Sequence, residues 1–561
     1  MVIGRSATRP TRAGWKTERS LRKSARAGAR REGGRRDVTS STSAPTPTSG
    51  SGAVDEVTRA KDVRGVRDLE EQIEYVFDPT RGETGPVHLE GAIVPVGFPK
   101  GTYLRNGPNS KFGVGKEHYF DGDGMIHGIT FLESGGVCYY NRWIETKGLA
   151  MENEAGRKLF RGILVNNGLE MLSGVLHNIL FNDALSTNGT KDTTNTAVVC
   201  HGGRILALME AQKPALMELK VTRDSVHVFR TKAKDFNFNG ELGGNMCAHP
   251  KVDPHTGDMI FFSYNMTSEP HMVYTEVDRA GEVRHTMAVD GLSRGVMSHD
   301  MAITSTRAVL FDLPVEFSVA NIARNEFPVQ FQKEARARLG VVERGGSRDV
   351  EWFEVQRGGN VFHTVNAFDD ERTGEVVLQA MRSEPERSGY IFNDYSPSYL
   401  HEWRLTPGTG RVEERRMCGL AGEFPCVNPN YVGRRAKFAY QVVDSLLGNL
   451  KQWTYPPIGV VYASFAKVAL LDDEVAGISA GDVLDRYEAE EGLFLGEPQF
   501  VPREGAEEED DGFVVTFATN AVEDRSYFLI LDAKDLAAGP ISAIEVPQKV
   551  ASGLHGTWIP L

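Results

Sequence analysis

The sequence predicts an all-β protein, on three observations: short β-rich runs from about residue 95 onward, turn signatures between them, and enough chain for one large β architecture. The runs include Arg204–Glu210, Met259–Tyr264, His271–Val277, Val376–Met381, Phe513–Ala518 and Tyr527–Leu531. They are rich in β-branched and aromatic residues, which fit a pleated, half-buried surface. The segments 252–258 (VDPHTGD), 369–375 (DDERTGE) and 405–411 (LTPGTGR) place Asp, Pro, Thr and Gly where a tight reversal joins two strands. At 561 residues, length alone suggests three or four domains, but large β architectures run past that prior. Many short strands with regular turns imply a sandwich, a barrel or a propeller. No strict internal repeat is visible, so periodicity does not choose among them.

Taken from the N-terminus, residues 1–56 stand apart. They hold twelve Lys and Arg against five Asp and Glu, a net of +7, and residues 1–36 are rich in Arg, Ser, Ala and Gly. Residues 39–52 (TSSTSAPTPTSGSG) cannot form a core and are expected to be disordered. An Arg- and Ser-rich, acid-poor start without an apolar stretch fits an organellar transit segment rather than a secretory signal. A solvated basic tail is the bland alternative. Residues 57–561 carry 51 Lys and Arg against 71 Asp and Glu, a net of −20. Such an acidic body argues against nucleic-acid binding.

Two stretches depart from the β pattern. Residues 155–183 look helical, with Phe160, Ile163, Leu164, Leu172, Val175, Leu176, Ile179 and Leu180 as an apolar stripe and Gly168 and Gly174 as weak points. The stretch either packs on the β body or dips into a membrane surface. Residues 507–511 (EEEDD) read most simply as a solvated loop. No run approaches the ~20 apolar residues needed to cross a bilayer. The five cysteines, Cys138, Cys200, Cys247, Cys418 and Cys426, are scattered and odd in number, which argues against a disulfide scaffold or zinc ribbon.

Of fourteen histidines, four share a setting. His249 (CAHPKVDP), His299 (MSHDMAIT), His363 (FHTVNAFDD) and His555 (GLHGTWIP) each stand at the edge of a strand-like run beside small or turn-forming residues. The others have no such device: His118 and His127 bound a turn-rich block, and His201 looks like a turn residue. The four are separated by 50, 64 and 192 residues. A propeller blade takes about 40–50 residues. Ligands so spaced could come one per blade and converge on the axis. Spacing alone nevertheless favours unrelated histidines.

The contexts reverse that balance. GTYLRNGPN (101–109), FDGDGMIHG (120–128), TNTAVVCHGGRILALMEAQKP (194–214), AHPKVDPHTGDM (248–259), SHDMAIT (298–304), LFDLP (310–314), FHTVNAFD (362–369), EFPCVNPNY (423–431), GEPQFVP (496–502) and LHGTW (554–558) follow one another in order. Together they closely resemble the carotenoid cleavage dioxygenase family, which includes the retinal-pigment-epithelium isomerase. The resemblance covers essentially residues 80–561. It implies a seven-bladed β-propeller over residues 57–561, with a cap of helices and loops above the metal. It implies one Fe(II) per chain, held by His249, His299, His363 and His555. It also implies that Glu210, Glu423 and Glu497 accept hydrogen bonds from three of those histidines. A carboxylate on the far ring nitrogen fixes an imidazole's tautomer and raises its basicity. Cys426 departs from the family, which commonly carries Arg there.

Imidazole suits Zn, Cu, Fe and Ni alike, so the resemblance, not the ligand type, points to iron. It implies O2-dependent cleavage of one C=C bond of a carotenoid or apocarotenoid into aldehyde or ketone products, with no protein acid or base assigned. The 194–214 block is most similar to plant enzymes that cut at 9,10 and 9′,10′. Cleavage of 9-cis-epoxycarotenoids at 11,12 is the nearest rival, and isomerisation on the same iron is a further one. That function makes plastid import the expectation for the basic segment, with the cytoplasm as the alternative.

Overall fold

The predicted runs are strands. Met259–Tyr264 is one, Val376–Met381 lies within Glu375–Ser383, Phe513–Ala518 within Gly512–Asn520, and Tyr527–Leu531 within Arg525–Asp532. The three predicted turns each join antiparallel neighbours. Gly257 and Gly374 close two of them at φ 75° and 76°, a conformation that other residues adopt only at a cost. The computed structural model describes residues 68–113, 118–162, 164, 168–181, 189–210, 212–346, 349–390, 396–444 and 461–561. The basic segment 1–56, with its transit reading, lies outside the described residues.

The strands form up-and-down antiparallel sheets in chain order. One contains Ala197–His201, Arg204–Leu208, Ala215–Val221 and Val226–Ala233. The next contains Lys251–Val252, Met259–Tyr264, Met272–Val277 and Val283–Ala288, and a third runs from Ala302–Ile303 to Val350–Glu354. The long strand Arg411–Cys426 serves two sheets: Ser398–Thr406 pairs with it as far as Ala421, and Phe438–Val443 takes over from Gly422. The final strand, Gly556–Pro560, returns to pair with Gly101–Pro108 near the chain's beginning.

The core is divided among neighbouring sheets. Leu104 and Tyr140 pack on Val198 and Phe229. Leu206, Phe261 and Leu310 join the next three sheets. Phe311 packs with Leu378, and Leu400 with Val468. Phe465 meets Val514, and Phe513 and Phe528 return to Tyr103 and Phe131. Sheet-to-sheet packing therefore runs around a closed ring, the architecture of a β-propeller. Sheet edges meet at the ring's centre: Ala302–Ile303 lies against Asn360–Asp370, and Gln499–Pro502 against Gly556–Pro560.

Helices supply the cap. Leu69–Phe77 begins with a capping box between Asp68 and Glu71 and buries Ile73 and Val76. The stretch 155–183 is not one helix. Lys147–Ala155 ends at Gly156, whose φ of 65° terminates it, and a new helix runs Gly168–Phe181. Phe160 is buried, but Leu172, Leu176, Ile179 and Leu180, half of the predicted stripe, are exposed, as is Leu169 beside them. Ile163 lies outside the described residues. Among the described residues no helix is long and apolar enough to cross a membrane. The acidic run 507–511 is more than a solvated loop. Glu509 is buried and accepts from the backbone N–H of Lys437 and Phe438, Asp510 pairs with Lys467, and Asp511 with Arg503. Unpaired backbone donors and buried cations recruit those acids.

Candidate metal centre

The four predicted histidines converge. His249 and His299 lead into Lys251–Val252 and Ala302–Ile303, His363 is the fourth residue of Asn360–Asp370, and His555 immediately precedes Gly556–Pro560. Each of these is the edge strand of its sheet. At His363 the pairing register shifts between Val361 and Thr364, a bulge that re-aims the side chain.

One ring nitrogen from each histidine lies within 4.8 Å of all the others. The Nε2 atoms of His249 and His299 are 3.0 Å apart. Two nitrogens about 2.1 Å from one ion at right angles stand about 3 Å apart, so this spacing fits ligands to a single metal.

The predicted glutamates orient three of the rings. His299 Nδ1 donates to Glu210 Oε2 at 2.7 Å, His363 Nδ1 to Glu423 Oε2 at 2.5 Å, and His555 Nδ1 to Glu497 Oε1 at 2.8 Å. An ionised carboxylate only accepts, so each Nδ1 carries a proton, which leaves Nε2 as the ring nitrogen turned toward the cage. The Nε2 of His363 is buried and has no hydrogen-bond partner. A buried, unpaired nitrogen in a ring of nitrogens is what a metal ion would satisfy, so the residues fit the expected group.

Electrostatics agree with ligand duty. Burial, reinforced by the three neighbouring imidazoles, holds His249 well below the ordinary imidazole range. Burial also lowers His555, against the opposing pull of Glu497. At His299 burial acts downward, but Glu210, with help from Asp300 and Glu423, outweighs it and the net shift is upward. His249 and His555 are thus neutral lone-pair donors at pH 7, whereas a metal must displace a more tightly held proton at His299.

Other residues of the site escaped sequence reasoning. Tyr264 donates its hydroxyl to Glu210 Oε1 at 2.6 Å, fixing that carboxylate from behind. Phe424 follows Glu423 at φ 47°, and its ring centre lies 5.1 Å from those of His363 and His555. A non-glycine residue held there costs of order 1–3 kcal/mol, which surrounding structure must offset. Asp300, next to His299, is buried; its position directly after a ligand was the available signal. Cys426 is half-buried. Burial, then the charge of Glu497, pushes its thiol up, so it stays neutral. Of the remaining histidines, His127, which bounds the turn-rich block, lies in the strand Gly124–Phe131, buried against Tyr139. His201 ends the strand Ala197–His201, bonded to Gly257.

The cage opens onto a cavity of about 2340 Å³, lined in part by His299, His363 and His555. Pockets for drug-sized ligands span roughly 300–1,000 Å³, so this one has room for a larger molecule. Three helices contribute to its lining: Leu69–Phe77 through Ile73, Gly168–Phe181 through Val175, and the short helix Val319–Ala323 through Ile322. Aromatic walls come from Phe77, Phe327, Phe362, Phe424, Tyr462 and Phe494.

Comparisons with known proteins agree with this geometry. The family profile described as retinal pigment epithelial membrane protein matches residues 77–560. A carotenoid 9,10(9′,10′)-cleavage dioxygenase 1 of Phaseolus vulgaris is 32% identical over 475 residues, covering 82% of this chain and 84% of the relative. A chloroplastic 9-cis-epoxycarotenoid dioxygenase of Arabidopsis thaliana, NCED6, is 30% identical over 474 residues, covering 82% and 76%. Among solved structures, a lignostilbene dioxygenase of Pseudomonas brassicacearum superposes with a TM-score of 0.70 at 28% identity, covering 86% of this chain and 97% of that one. A cobalt-substituted Synechocystis ACO does so with a TM-score of 0.70 at 25% identity, covering 88% and 99%. With its closed ring of sheets and its four-histidine cage, the chain belongs to the retinal pigment epithelial membrane protein family, the carotenoid cleavage oxygenases.

Proposed function

We propose that this protein is an iron(II)-dependent dioxygenase that cleaves one C=C bond of a carotenoid or apocarotenoid with O2, most readily at 9,10 and/or 9′,10′. Two oxygen atoms and one double bond give two carbonyl products. The observation that carries this reading is a cage of four Nε2-directed imidazoles opening onto a large, aromatic-walled cavity. His249, His299, His363 and His555 would hold one Fe(II) per chain, and the iron would supply O2 binding and activation. Glu210, Glu423 and Glu497 keep the rings in the lone-pair tautomer. Ile73, Val76, Phe77 and Phe494 offer a polyene an apolar wall and exclude water. Another part of the same cavity carries Arg382, Tyr399, His401 and Arg416, which suits a substrate with one oxygenated end. The Phaseolus relative supports the 9,10 position. The Arabidopsis relative makes 11,12 cleavage the rival.

The test is to incubate the purified Fe(II) protein under 18O2 with β-carotene, zeaxanthin, a 9-cis-epoxycarotenoid and an apocarotenal, and to weigh the products. A labelled C13 ketone supports 9,10 cleavage, and a C15 aldehyde moves the assignment to 11,12. Products without label sink the dioxygenase reading and favour isomerisation. Stoichiometric zinc in the active protein favours a hydrolase.

Three further readings belong with this proposal. A seven-bladed count is supported by the division of the long sheet at Ala421 and Gly422. Contact with a membrane, where such substrates dissolve, is supported by the exposed Leu169, Leu172, Leu176, Ile179 and Leu180 on one cap helix. Plastid import, with the cytoplasm as alternative, is supported by the basic, Ser-rich residues 1–36.

A further inference from the structure

We propose that Asp300 is a positioning residue that clamps three of the four ligand-bearing segments into one preassembled tripod, leaving His555 to be set separately by closure of the ring. This rests on the reading that the cage binds a metal ion.

The carboxylate of Asp300 is 1% exposed. It follows His299 directly. Its Oδ1 accepts from Lys251 Nζ at 2.8 Å and from Met301 N at 2.6 Å. Its Oδ2 accepts from Thr364 N and Thr364 Oγ1, both at 2.8 Å. A carboxylate offers about four lone-pair sites, and here each has a donor.

The donors explain the role. Thr364 follows His363, so a bond to its backbone N–H fixes the peptide plane that carries the His363 ring. Lys251 lies two residues beyond His249, with Pro250 between them. Proline locks its own φ and restricts the residue before it to extended conformations, so anchoring Lys251 also restrains His249. One buried side chain therefore touches neighbours of His249 and His363 and is itself the neighbour of His299.

His555 has none of these contacts. Its carbonyl accepts from Asn106 N at 3.0 Å, and Leu554 N donates to Asn106 O at 2.9 Å. Glu497 binds both its ring and the following N–H of Gly556. The fourth ligand is thus held by the strand Gly101–Pro108, through which the chain's last strand joins the first sheet.

An amide in place of Asp300 cannot keep this arrangement. If its oxygen faces Thr364, its NH2 meets the Lys251 ammonium and the Met301 N–H, donor against donor. The experiment compares wild type with Asp300→Asn, Lys251→Met and Thr364→Val. Each protein is titrated with Co(II), read by its visible spectrum and by competition with a chromophoric chelator, and the metal-free forms are melted alongside. Loss of partners that orient ligands typically costs 10–100-fold in metal affinity. Asp300→Asn is expected to weaken Co(II) binding about tenfold or more and to alter the spectrum. Thr364→Val, which keeps the backbone bond, is expected to cost less than Asp300→Asn. Binding within about twofold of wild type, with only a lower melting temperature, would make Asp300 a structural strut and overturn the proposal. Should Asp300→Asn fail to fold, the other two variants decide: wild-type Co(II) binding in both overturns it, and weakened binding in Lys251→Met upholds it. A wild-type protein that binds no Co(II) refutes the metal-centre reading itself, and the clamp with it.

Discussion

Replacing each orienting glutamate by glutamine is chemically the same change three times, yet the structure assigns the three variants different costs. Glu497 uses both oxygens: Oε1 takes His555 Nδ1 and Oε2 takes Gly556 N, each at 2.8 Å. Glutamine has one acceptor oxygen, so one buried N–H is left facing an NH2 group. An unsatisfied buried donor costs about 1–3 kcal/mol, beyond the loss of the charge-assisted bond. Glu423 behaves otherwise. Its Oε2 takes both His363 Nδ1 and Phe424 N, while its Oε1 is buried without a partner. Glutamine can therefore keep both bonds with its oxygen, and its NH2 replaces an oxygen that already lacked a partner, so the charge is lost but neither bond to His363 nor to Phe424 is broken. At Glu210 the second partner is the Tyr264 hydroxyl, which can reverse and accept from the new amide. Since a neutral hydrogen bond is roughly half as strong as a charge-assisted one, Glu423→Gln and Glu210→Gln should weaken metal binding only about tenfold or less. Glu497→Gln should approach the hundredfold end of the range. Chelator competition on all three variants in one buffer measures the order directly. Glu423→Gln losing more affinity than Glu497→Gln would refute this reasoning, because it would mean that acceptor geometry does not set the cost.

Other consequences can be checked alongside. Burial, with Arg382 and Arg416 nearby, lowers His401 to about 4, so between pH 6.5 and 4 the unfolded chain takes up a proton that the native protein does not. Stability is therefore lost as pH falls through that window, by up to about 1.4 kcal/mol per pH unit, and thermal melts of His401→Asn should show a shallower decline. Gly553→Ala would drive a methyl into the Arg105 guanidinium, two residues before His555; a loss of about 1–3 kcal/mol is expected by denaturant titration. Leu172→Glu with Leu176→Glu, on the exposed face of Gly168–Phe181, should leave stability within about 0.5 kcal/mol while abolishing co-sedimentation with lipid vesicles. Unchanged co-sedimentation would rule out this helix as the contact.

What the sequence determined by itself was local or carried by whole blocks. Strand runs and turns were legible because side-chain alternation and positive-φ glycines such as Gly257 act within a few residues. The four histidines and three glutamates were legible only through their surrounding blocks, since 192 residues separate His363 from His555 and no local spacing links them. Tertiary structure decided everything that depends on which strands meet. The closing pairing of Gly556–Pro560 with Gly101–Pro108 brings His555 to the cage, and the bulge at His363 aims its ring. The bond of Tyr264 to Glu210, and those of Asp300 to Lys251 and Thr364, are invisible in sequence because the partners come from different sheets. The same reason explains the errors. The acids of 507–511 looked solvated because Lys437, Lys467 and Arg503 reach them only after folding, and the apolar stripe of 155–183 is interrupted because Phe160 and Leu164 lie ahead of the helix Gly168–Phe181. Sequence periodicity reports a residue's own element, whereas the partners that fill a carboxylate's lone pairs or cover an apolar face are set by packing between elements.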